Sequence, residues 1–487
     1  MTSKASAEQS PTIVWFRRDL RLADNHALAA AVSRGGPVVP VFILEKDGEM
    51  ALPYGGAQSW WLHHSLAALG RSIADRGGTL VLRSGDPIVL LTSLVAETGA
   101  TAVYWNRRHD PLGMETDAAL KVTLKDMGLE VRSFAGQLLH DPSRLKTVSG
   151  GPYRVYTPFW RALEAGGEPD TPIDAPETIM RPDDLPASEA LDDWQLLPKA
   201  PDWASEFSEH WTPGEAGALD RLTAFTRDPI TDYKQARDLP GIDGTSRLSP
   251  HLAFGEISPA TIWHATRGQS EAVEDASSVI TFRKELVWRD FSYHLLFHNP
   301  ELDRTNLNTR FDAFPWKRDP GAFDAWTRGL TGYPIVDAGM RQLWRHGYMH
   351  NRVRMIAASF LIKHLMVDWR EGEAWFRDTL LDADPASNAA SWQWVAGCGA
   401  DAAPFFRIFN PILQGERFDA DGSYVRRFVP EIAALPEKFL HKPFEAPEAV
   451  LREAGITLGQ TYPKPLVDHS VARNRAMAAF TQIKDAA

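Results

Sequence analysis

Asp382 to Pro411 read DADPASNAASWQWVAGCGADAAPFFRIFNP, a stretch that combines carboxylates, amides, tryptophans and glycines with little aliphatic content. A buried helix shows aliphatic residues at i, i+3, i+4 and i+7, whereas here Asp384 and Asn388 precede Trp392 and Trp394. The composition predicts polar groups and aromatic rings that face a planar partner. The alternative is an aromatic-rich loop that local turns hold in place.

Length and composition indicate a large globular protein. With 487 residues and 44% hydrophobic content, the chain can bury large cores, and its length suggests two or three domains. It has no apolar run long enough to span a bilayer, and its start, MTSKASAEQS, lacks the basic and apolar regions of a signal peptide. The single cysteine, Cys398, has no partner for a disulfide or a cysteine metal site. We therefore expect a cytoplasmic protein without a metal ion.

The charge balance limits the possible partners. The formal net charge of −11 argues against a uniformly basic surface for nucleic acid, because phosphate contacts need Lys and Arg on the binding face. It leaves room for a local basic groove. Seventeen tryptophans are many for this length, and most of them are expected to fill cores.

The N-terminal part of the chain alternates short β-rich runs with helical runs. The five predicted strands are TIVWF, VVPVFIL, TLVLRSG, AVYWN and LEVRSF. This alternation predicts a parallel sheet that helices cover on both faces. After the first strand stands WFRRDLRLADNHAL in place of a glycine fingerprint, which disfavours a nicotinamide-binding Rossmann domain.

Changes in composition predict the domain boundaries. Residues 1–11 are expected to be a flexible N-terminus, and residues 12–136 a doubly wound α/β domain. Residues 137–212 are rich in proline and acid with little periodicity, which is typical of a connector wrapped on a surface. The helical period dominates residues 213–487, so a helical domain is expected there. The predicted fold class is α/β plus all-α.

Two segments of the helical domain carry polar groups in patterns that suit chemistry. GTSRLSP, Gly244 to Pro250, offers hydroxyls, amides and an arginine before a helix start, which suits phosphate oxygens; a plain helix cap is the alternative. Glu285, Trp288 and Arg289 lie three and four residues apart, so a carboxylate, an indole and a guanidinium occupy neighbouring positions on one helix. The alternative is an exposed ion pair beside a core tryptophan.

Helix boundaries in this domain are also predictable. Ser249-Pro250 and Ser258-Pro259 each predict an N-cap serine before a first-turn proline, and Gly347 is expected to end the helix that begins near Pro334. In MHNRVRMIAASFLIKHL, the helical period predicts a buried stripe and leaves another face for Asn351, Arg352 and Met355. The stripe consists of Val353, Ile356, Ala357, Phe360 and Leu361.

Six longer motifs carry a family resemblance. They are FRRDLRLADNHAL, TSRLSPHLAFGEIS, ELVWRDF, TGYPIVDAGMRQLWRHGYMHNRVRMIAASFL, DWREGEAWF and DAAPFFRIFNP. Together they resemble the photolyase/cryptochrome flavoproteins, over residues 12 to 470. The resemblance implies FAD as cofactor, an N-terminal α/β domain for a light-harvesting antenna and a C-terminal helical domain for the flavin. This domain order agrees with the periodicity of the chain.

The resemblance assigns a set of flavin-binding residues. Asn388 matches the position at the flavin N5 edge, and Arg354 is expected to pair with Asp382 beside the ring. Phe282 departs from the pattern, because some bacterial members carry a tryptophan there. The implied FAD-binding residues are Tyr233, Thr245, Ser246, Arg247, Leu248, Ser249, Arg354, Asp382, Asp384 and Asn388.

The resemblance also implies a lesion pocket and an electron relay. A flipped-out cyclobutane pyrimidine dimer can be gripped against indoles while polar groups contact its carbonyls. The implied dimer residues are Glu285, Trp288, Asn351, Met355 and Trp394, and the implied DNA-phosphate contacts are Arg237, Arg352 and Arg407. The implied relay from flavin to surface is Trp392, Trp369 and Trp316; core packing is the alternative for each.

The implied function is light-dependent repair of UV-damaged DNA. In the family's repair enzymes, light excites reduced FAD, an electron passes to the dimer, the cyclobutane bonds break and the electron returns. Glu285 and Asn388 would be catalytic, by hydrogen bonding to the dimer and by tuning the flavin. Members that repair the (6-4) photoproduct carry a histidine pair where this chain has Met349-His350-Asn351, so the cyclobutane dimer is the expected substrate.

Two alternatives to repair remain open. A cryptochrome photoreceptor would share the flavin pocket, and WFRRDLRLADNHAL resembles plant cryptochromes as much as bacterial enzymes. Asn388 argues for repair, because plant cryptochromes tend to have an acid there. The second alternative is a flavin enzyme that acts on small molecules in the dark, which the missing nicotinamide fingerprint disfavours.

The antenna chromophore follows less directly from the motifs. Folate-binding bacterial photolyases contact it with an Asn-Glu pair after the fourth strand, where this chain has Leu112 and Gly113. The possibilities are 5,10-methenyltetrahydrofolate in another pose, a deazaflavin or an empty site, and we favour the folate. We further expect a monomer with no obligate protein partner and no membrane association.

Overall fold

The computed structural model describes residues 10–45, 54–267, 276–401 and 406–485. Most of the predicted flexible N-terminus, up to residue 9, lies outside the described residues. The predicted α/β and helical regions are both present, so the predicted fold class is confirmed. Among the described helices, none is both long and apolar enough to cross a membrane.

All five predicted strands form one parallel sheet. Its order is β3-β2-β1-β4-β5. The inner strands are aliphatic and buried, while β5 at the edge is largely accessible. From β1 the chain runs first to one side and later to the other, so β1 and β4 flank the point where the strand order reverses. The strands are β1 (Thr12–Phe16), β2 (Val38–Leu44), β3 (Val81–Ser84), β4 (Ala102–Asn106) and β5 (Glu130–Phe134).

Helices cover both faces of this sheet. Val14 and Phe16 of β1 point to a core with the first two helices, whereas Ile13 and Trp15 point to a core with the next two. The sheet is therefore doubly wound, as predicted. The helices are α1 (His26–Arg34), α2 (Gly56–Ala74), α3 (Pro87–Thr98) and α4 (Pro111–Asp126).

The segment predicted as a connector contains more regular structure than its composition indicated. Its helix α5 buries Tyr156, Phe159, Trp160 and Leu163 in the core. A helical period is therefore present within this proline-rich and acidic segment. Further along lie a 3₁₀ turn and a one-turn helix. The elements are α5 (Tyr156–Ala165), the 3₁₀ turn Leu191–Trp194 and α6 (Phe207–His210).

The remaining chain is helical, and its longest described helix is the 22-residue α11. The helices are α7 (Glu215–Arg227), α8 (Tyr233–Ala236), α9 (Ser249–Phe254), α10 (Pro259–Ala265), α11 (Ser277–His298), α12 (Pro320–Thr327), α13 (Pro334–His346), α14 (Asn351–Ser359), α15 (Trp369–Thr379), α16 (Pro385–Ala396), α17 (Pro411–Phe418), α18 (Ser423–Phe428), α19 (Glu437–Leu440), α20 (Glu448–Glu453) and α21 (His469–Asp485). Shorter 3₁₀ turns are Thr309–Ala313, Pro430–Ile432 and Pro443–Glu445, and Phe360–Leu365 form a π-helix.

Most of the predicted helix boundaries agree with the structure, and one is wrong. Ser258 caps α10 by accepting from the amide of Thr261 at 2.9 Å, and Gly347 ends α13 in the left-handed conformation. Ser249, predicted as an N-cap, is instead the first residue of α9 and makes no capping bond. The reason is that Leu248 already has helical backbone angles, so the turn begins one residue earlier. All five residues of the predicted stripe are buried.

The stretch from Asp382 to Pro411 contains the helix α16, Pro385–Ala396. Asp384 caps α16, since its Oδ1 accepts from the amides of Ala386 at 3.1 Å and Ser387 at 2.9 Å. Gly397, with φ of 94°, ends it. The loop alternative is therefore wrong for Pro385–Ala396, although this helix does carry polar groups and rings where a core helix has aliphatic ones.

The α/β domain and the helical domain meet at the end of α9. There the buried carboxylate of Glu256 accepts from Trp61 Nε1 at 2.9 Å and from the amide of Gly214 at 2.7 Å, and it contacts His251 Nδ1 at 2.5 Å. Gly255 has φ of 66°, and a Cβ at this position would lie 2.0 Å from the carbonyl oxygen of Arg18. The two domains are thus in contact through backbone as well as side chains.

We expect Glu256→Ala to destabilise the protein by roughly 3 kcal/mol, because it leaves several buried donors unpaired and each costs about 1–3 kcal/mol. Thermal unfolding followed by circular dichroism would measure the change. Glu448→Ala, at an exposed position, is the matched control and should stay within about 0.5 kcal/mol of the wild type. Equal unfolding midpoints for the two variants would contradict the role given to Glu256.

Candidate functional site

A cavity of about 470 Å³ opens between α11, α14 and α16, a volume typical of cofactor sites. Most of the predicted site residues line it, so the fold brings together groups from distant parts of the chain. Those from the flavin set are Tyr233, Ser246, Leu248, Ser249, Arg354, Asp382, Asp384 and Asn388. Those from the lesion and relay sets are Arg237, Glu285, Trp288, Asn351, Met355, Trp392 and Trp394.

Several predicted residues lie outside the lining of this cavity. Thr245 and Arg247 belong to the loop before α9, where Arg247 has a left-handed backbone and its Nε lies 3.1 Å from Asp243. Arg352 forms an ion pair with Asp238. Arg407 lines a second cavity of about 630 Å³, which shares Trp394 with the first. Trp369 and Trp316 are also absent from the lining of the first cavity.

Arg354 and Asp382 form the predicted ion pair. Arg354 Nη2 donates to Asp382 Oδ2 at 2.8 Å, and its Nε donates to the carbonyl oxygen of Met349 at 2.7 Å. Burial alone would lower the pKa of Arg354, but the carboxylate of Asp382 raises it overall. The guanidinium therefore stays charged beside the cavity.

Asp382 also offers an acceptor that the described protein residues leave unsatisfied. Its Oδ1 is buried without a hydrogen-bond partner among them. An unpaired buried acceptor costs about 1–3 kcal/mol, and a ligand N–H or O–H would remove that cost. A flavin nucleotide carries both kinds of donor, so the residues present fit FAD.

Asp384 has a different role from its neighbour. Besides capping α16, it accepts from the hydroxyl of Tyr293 through Oδ2 at 2.8 Å. Arg289 Nε lies 4.0 Å from the same oxygen. The carboxylate therefore fixes the start of the helix that carries Asn388 and the two tryptophans. Its predicted contact with the flavin stays a prediction.

Asn388 is held in one orientation by a residue that sequence reasoning missed. Its Nδ2 donates to Glu373 Oε1 at 2.9 Å and to the carbonyl oxygen of Glu373 at 3.1 Å. A carboxylate only accepts hydrogen bonds, so the amide NH₂ must face Glu373. Burial raises the pKa of Glu373, opposed by the guanidinium of Arg377 and by Asn388 itself. The oxygen of Asn388 is left as the acceptor for a ligand in the cavity.

The wall that is predicted to face the lesion is built on α11. Trp288 stacks on Tyr156 of α5, with ring centroids 3.8 Å apart and planes 4° apart. Tyr156 is not in the cavity lining, so it supports the indole from behind. Glu285, one turn away, accepts from Arg237 Nη1 at 2.5 Å. Sequence reasoning missed Tyr156 because it lies in the proline-rich connector.

Two of the three predicted phosphate-binding arginines are paired with acids. Besides the Arg237–Glu285 pair, Arg352 Nη2 lies 2.8 Å from Asp238 Oδ1. All four side chains remain partly accessible, with 20% to 33% of their surface exposed. Another anion can therefore compete with the two carboxylates for the guanidinium groups.

Of the predicted relay tryptophans, Trp392 and Trp369 are buried and Trp316 is partly buried. Trp392 is buried and contacts Phe376 and Trp326, with centroid distances of 4.9 Å and 6.3 Å. Trp369 donates from Nε1 to Asn306 Oδ1 at 2.9 Å, and the ring of Trp316 lies 4.4 Å from Phe314. Among the described ring contacts, none joins two of the three tryptophans directly, so the relay stays a prediction.

The helices of Trp392 and Trp369 do touch each other. Gly372 lies on the same helix as Trp369, and a Cβ there would lie 2.3 Å from Cη2 of Trp392. Trp326, which sequence reasoning missed, is fully buried and donates to the carbonyl oxygen of Ala357 at 3.1 Å. Because Trp326 is fully buried, the sequence alone does not distinguish it from the other tryptophans that fill cores.

Comparisons with known proteins agree with this architecture. A family model described as DNA photolyase matches residues 12–177, and one described as the FAD binding domain of DNA photolyase matches residues 282–482. The chain is 64% identical over 479 residues to the deoxyribodipyrimidine photo-lyase of Agrobacterium fabrum, covering 98% of this chain and 99% of that protein. It is 39% identical to cryptochrome-1 of Arabidopsis thaliana, covering 97% of this chain and 70% of that protein.

A solved structure extends the agreement to three dimensions. The crystal structure of a bacterial class III photolyase from Agrobacterium tumefaciens superimposes with a TM-score of 0.95, at 64% identity and with 98% of both chains covered. The sequence prediction of a bacterial photolyase close to plant cryptochromes is confirmed at the level of the family. By its sequence and its fold, the chain belongs to the photolyase/cryptochrome family.

Proposed function

We propose that this protein is a light-dependent DNA repair enzyme that splits cyclobutane pyrimidine dimers with FAD as cofactor. The observation that carries the proposal is one cavity in which flavin-side groups and lesion-side groups share walls. The high identity to a deoxyribodipyrimidine photo-lyase supports it. Bound, reduced FAD supplies light absorption and the electron, and the chain supplies position, charge and hydrogen bonds.

On the flavin side, the chain would hold the ring system by charge and hydrogen bonding. Arg354 places a positive charge beside the ring position, which favours an anionic ligand. Asp382 would accept a hydrogen bond through its unsatisfied Oδ1. Asn388, oriented by Glu373, presents an oxygen to the predicted N5 edge. The loop from Thr245 to Ser249 would hold the phosphates.

On the lesion side, the chain would grip a flipped-out dinucleotide. Trp288 and Trp394 offer indole faces for stacking, which is worth about 1–3 kcal/mol per base. Asn351 and Met355 complete the pocket, and the carboxylate of Glu285 would accept a hydrogen bond from a pyrimidine N–H. Water is excluded where the bases fill the cavity.

Binding of DNA would exchange ion pairs inside the protein for phosphate contacts. Arg237 holds Glu285, so a phosphate that takes Arg237 would leave the carboxyl group of Glu285 to the lesion. Arg352 would leave Asp238 in the same way. Arg407, which is exposed, would extend the contact beyond the first cavity.

For the antenna we propose 5,10-methenyltetrahydrofolate, with a deazaflavin as the alternative. Leu112 and Gly113 lie in the first turn of α4, where Asp110 caps the helix by accepting from the amide of Gly113 at 2.9 Å. Neither residue offers a polar side chain, which argues for a pose different from that of the folate-binding members. The absorption spectrum of the purified protein would distinguish the two chromophores.

We also propose a binding partner and a cellular location for the protein. UV-damaged DNA is the proposed partner, and the protein is proposed to act as a monomer without an obligate protein partner. Its single cysteine suits a reducing compartment, which supports a cytoplasmic location.

The proposed function is tested by repair of an oligonucleotide that contains a thymine dimer. We expect chemically reduced protein to restore the two thymines under blue light and to leave the dimer intact in the dark. Glu285→Ala should retain FAD but lower the repair yield per absorbed photon, because it loses a hydrogen bond to the lesion. Glu301→Ala, at an exposed position, is the control. A reduced, illuminated wild type that never repairs would favour the cryptochrome alternative.

Glu373→Gln is expected to release the fixed orientation of Asn388, since an amide at position 373 can donate as well as accept. The flavin reduction potential should then fall by the equivalent of one hydrogen bond, about 0.5–1.5 kcal/mol. Spectroscopic redox titration measures this shift. Glu371→Gln, on the same helix and more accessible, is the matched control. A potential equal to that of the wild type would show that Glu373 does not position Asn388.

Tyr156→Leu removes the ring that supports Trp288, whereas Tyr156→Phe keeps it. An aromatic pair is worth about 0.5–1.5 kcal/mol beyond its buried area, so the leucine variant should bind dimer-containing DNA up to about tenfold more weakly. The phenylalanine variant should bind like the wild type, and FAD content should stay constant in both. Fluorescence anisotropy with damaged and undamaged duplexes measures the affinities. An equal loss on both duplexes would contradict a role specific to the lesion.

A further inference from the structure

Two histidines and a glutamate from distant parts of the chain meet outside the proposed catalytic cavity. Glu206 immediately precedes α6, and His210 is the last residue of α6, so the two lie on one face of a single turn. His346 is the last residue of α13. Trp211 Nε1 donates to the carbonyl oxygen of His346 at 2.8 Å and holds the two helix ends together.

The ligand atoms of these three residues converge. One imidazole nitrogen from each histidine and one carboxylate oxygen lie within 4.8 Å of one another, and the ring centroids of His210 and His346 are 3.8 Å apart. In the described part of the chain, neither imidazole has a hydrogen-bond partner for its ring nitrogens. Both rings are therefore available to coordinate an ion.

Glu206 already has one cationic partner. Arg345 donates to its two oxygens over distances of 2.8 to 3.1 Å. A carboxylate offers about four lone-pair positions, so one oxygen can bind a metal ion while the guanidinium keeps its contacts. The arginine would then orient the carboxylate, as groups behind a metal ligand commonly do.

Contrary to the expectation of a protein without a metal ion, we propose that Glu206, His210 and His346 form a zinc-binding site that joins the connector to the helical domain. Two imidazole nitrogens and one carboxylate oxygen are a common Zn²⁺ ligand set, with bonds of about 2.0–2.2 Å. Tetrahedral ligands at such bond lengths lie about 3.3 Å apart, so a rotamer change of the exposed His210 would complete the geometry. Ca²⁺ and Mg²⁺ fit poorly, because they prefer oxygen ligands throughout.

A bound ion would link two segments that are distant in the sequence. The end of α13 leads through Gly347 to the loop before Asn351, and α6 belongs to the segment between the two domains. Because the unfolded chain does not hold these groups together, Zn²⁺ would bind the native state and stabilise it by mass action. The site is independent of the proposed repair activity.

The test is a Zn²⁺ titration of the full-length protein with its flavin, after removal of metals with a chelator. Competition with a chromophoric zinc indicator should give one equivalent of bound Zn²⁺, and the unfolding temperature should rise with the logarithm of the zinc concentration. His210→Ala, His346→Ala and Glu206→Gln should each weaken binding by about tenfold or more. His26→Ala, which changes another partly exposed histidine, is the matched control and should bind as the wild type does.

A Co²⁺ titration reports the geometry as well as the stoichiometry. Coordination by these ligands should give the visible absorption bands of a tetrahedral cobalt site, and His210→Ala should remove them. FAD content and far-ultraviolet circular dichroism identify any variant that fails to fold; His210 is exposed, so its alanine variant should fold. The absence of saturable binding, or binding that His210→Ala and His346→Ala leave unchanged, would overturn the proposal.

Discussion

The carboxylate of Glu256 is the interaction on which the relation between the two domains depends. It is fully buried, and its partners come from α2 of the α/β domain, from the start of α7 and from α9. Beside it, Arg18 and Arg21 donate to the carbonyl oxygens of Ala253 and Gly255 at the end of α9. Since α9 follows the loop assigned to the flavin phosphates, the same contacts that join the domains also hold one end of the cavity.

The fold was largely predictable because its elements have strong local signals. The strands are short runs of β-branched and aromatic residues. Such continuous apolar runs are the sequence pattern of a parallel sheet that is buried on both faces. The failures have local causes too. α5 was missed because Tyr156, Phe159, Trp160 and Leu163 lie between glycine- and proline-rich flanks. The cap predicted at Ser249 was wrong by one residue. The start of the helix depends on the backbone angles of Leu248, which the sequence does not reveal.

The site was predictable in its walls but not in the groups behind them. Motif residues such as Asp382, Asn388 and Trp394 line the cavity, as the resemblance implied. Glu373, Tyr156 and Asp238 act on those residues from behind or from the side, and each belongs to a different segment from its partner. A one-dimensional pattern records spacing within a helix, whereas these contacts depend on how helices pack against each other.

The pairing of Arg237 and Arg352 with acids has a consequence for selectivity. A free arginine groove would attract any polyanion, including the abundant RNA of a cell, through counterion release. Here Glu285 and Asp238 already occupy the two guanidinium groups, in a chain whose net charge is −11. Undamaged nucleic acid would have to displace these two carboxylates from the arginines. It would gain no stacking energy in return, because it places no base between the indoles. We therefore expect a low affinity for intact strands, so that the protein would not be sequestered on them and would search for rare lesions over a surface of low general affinity.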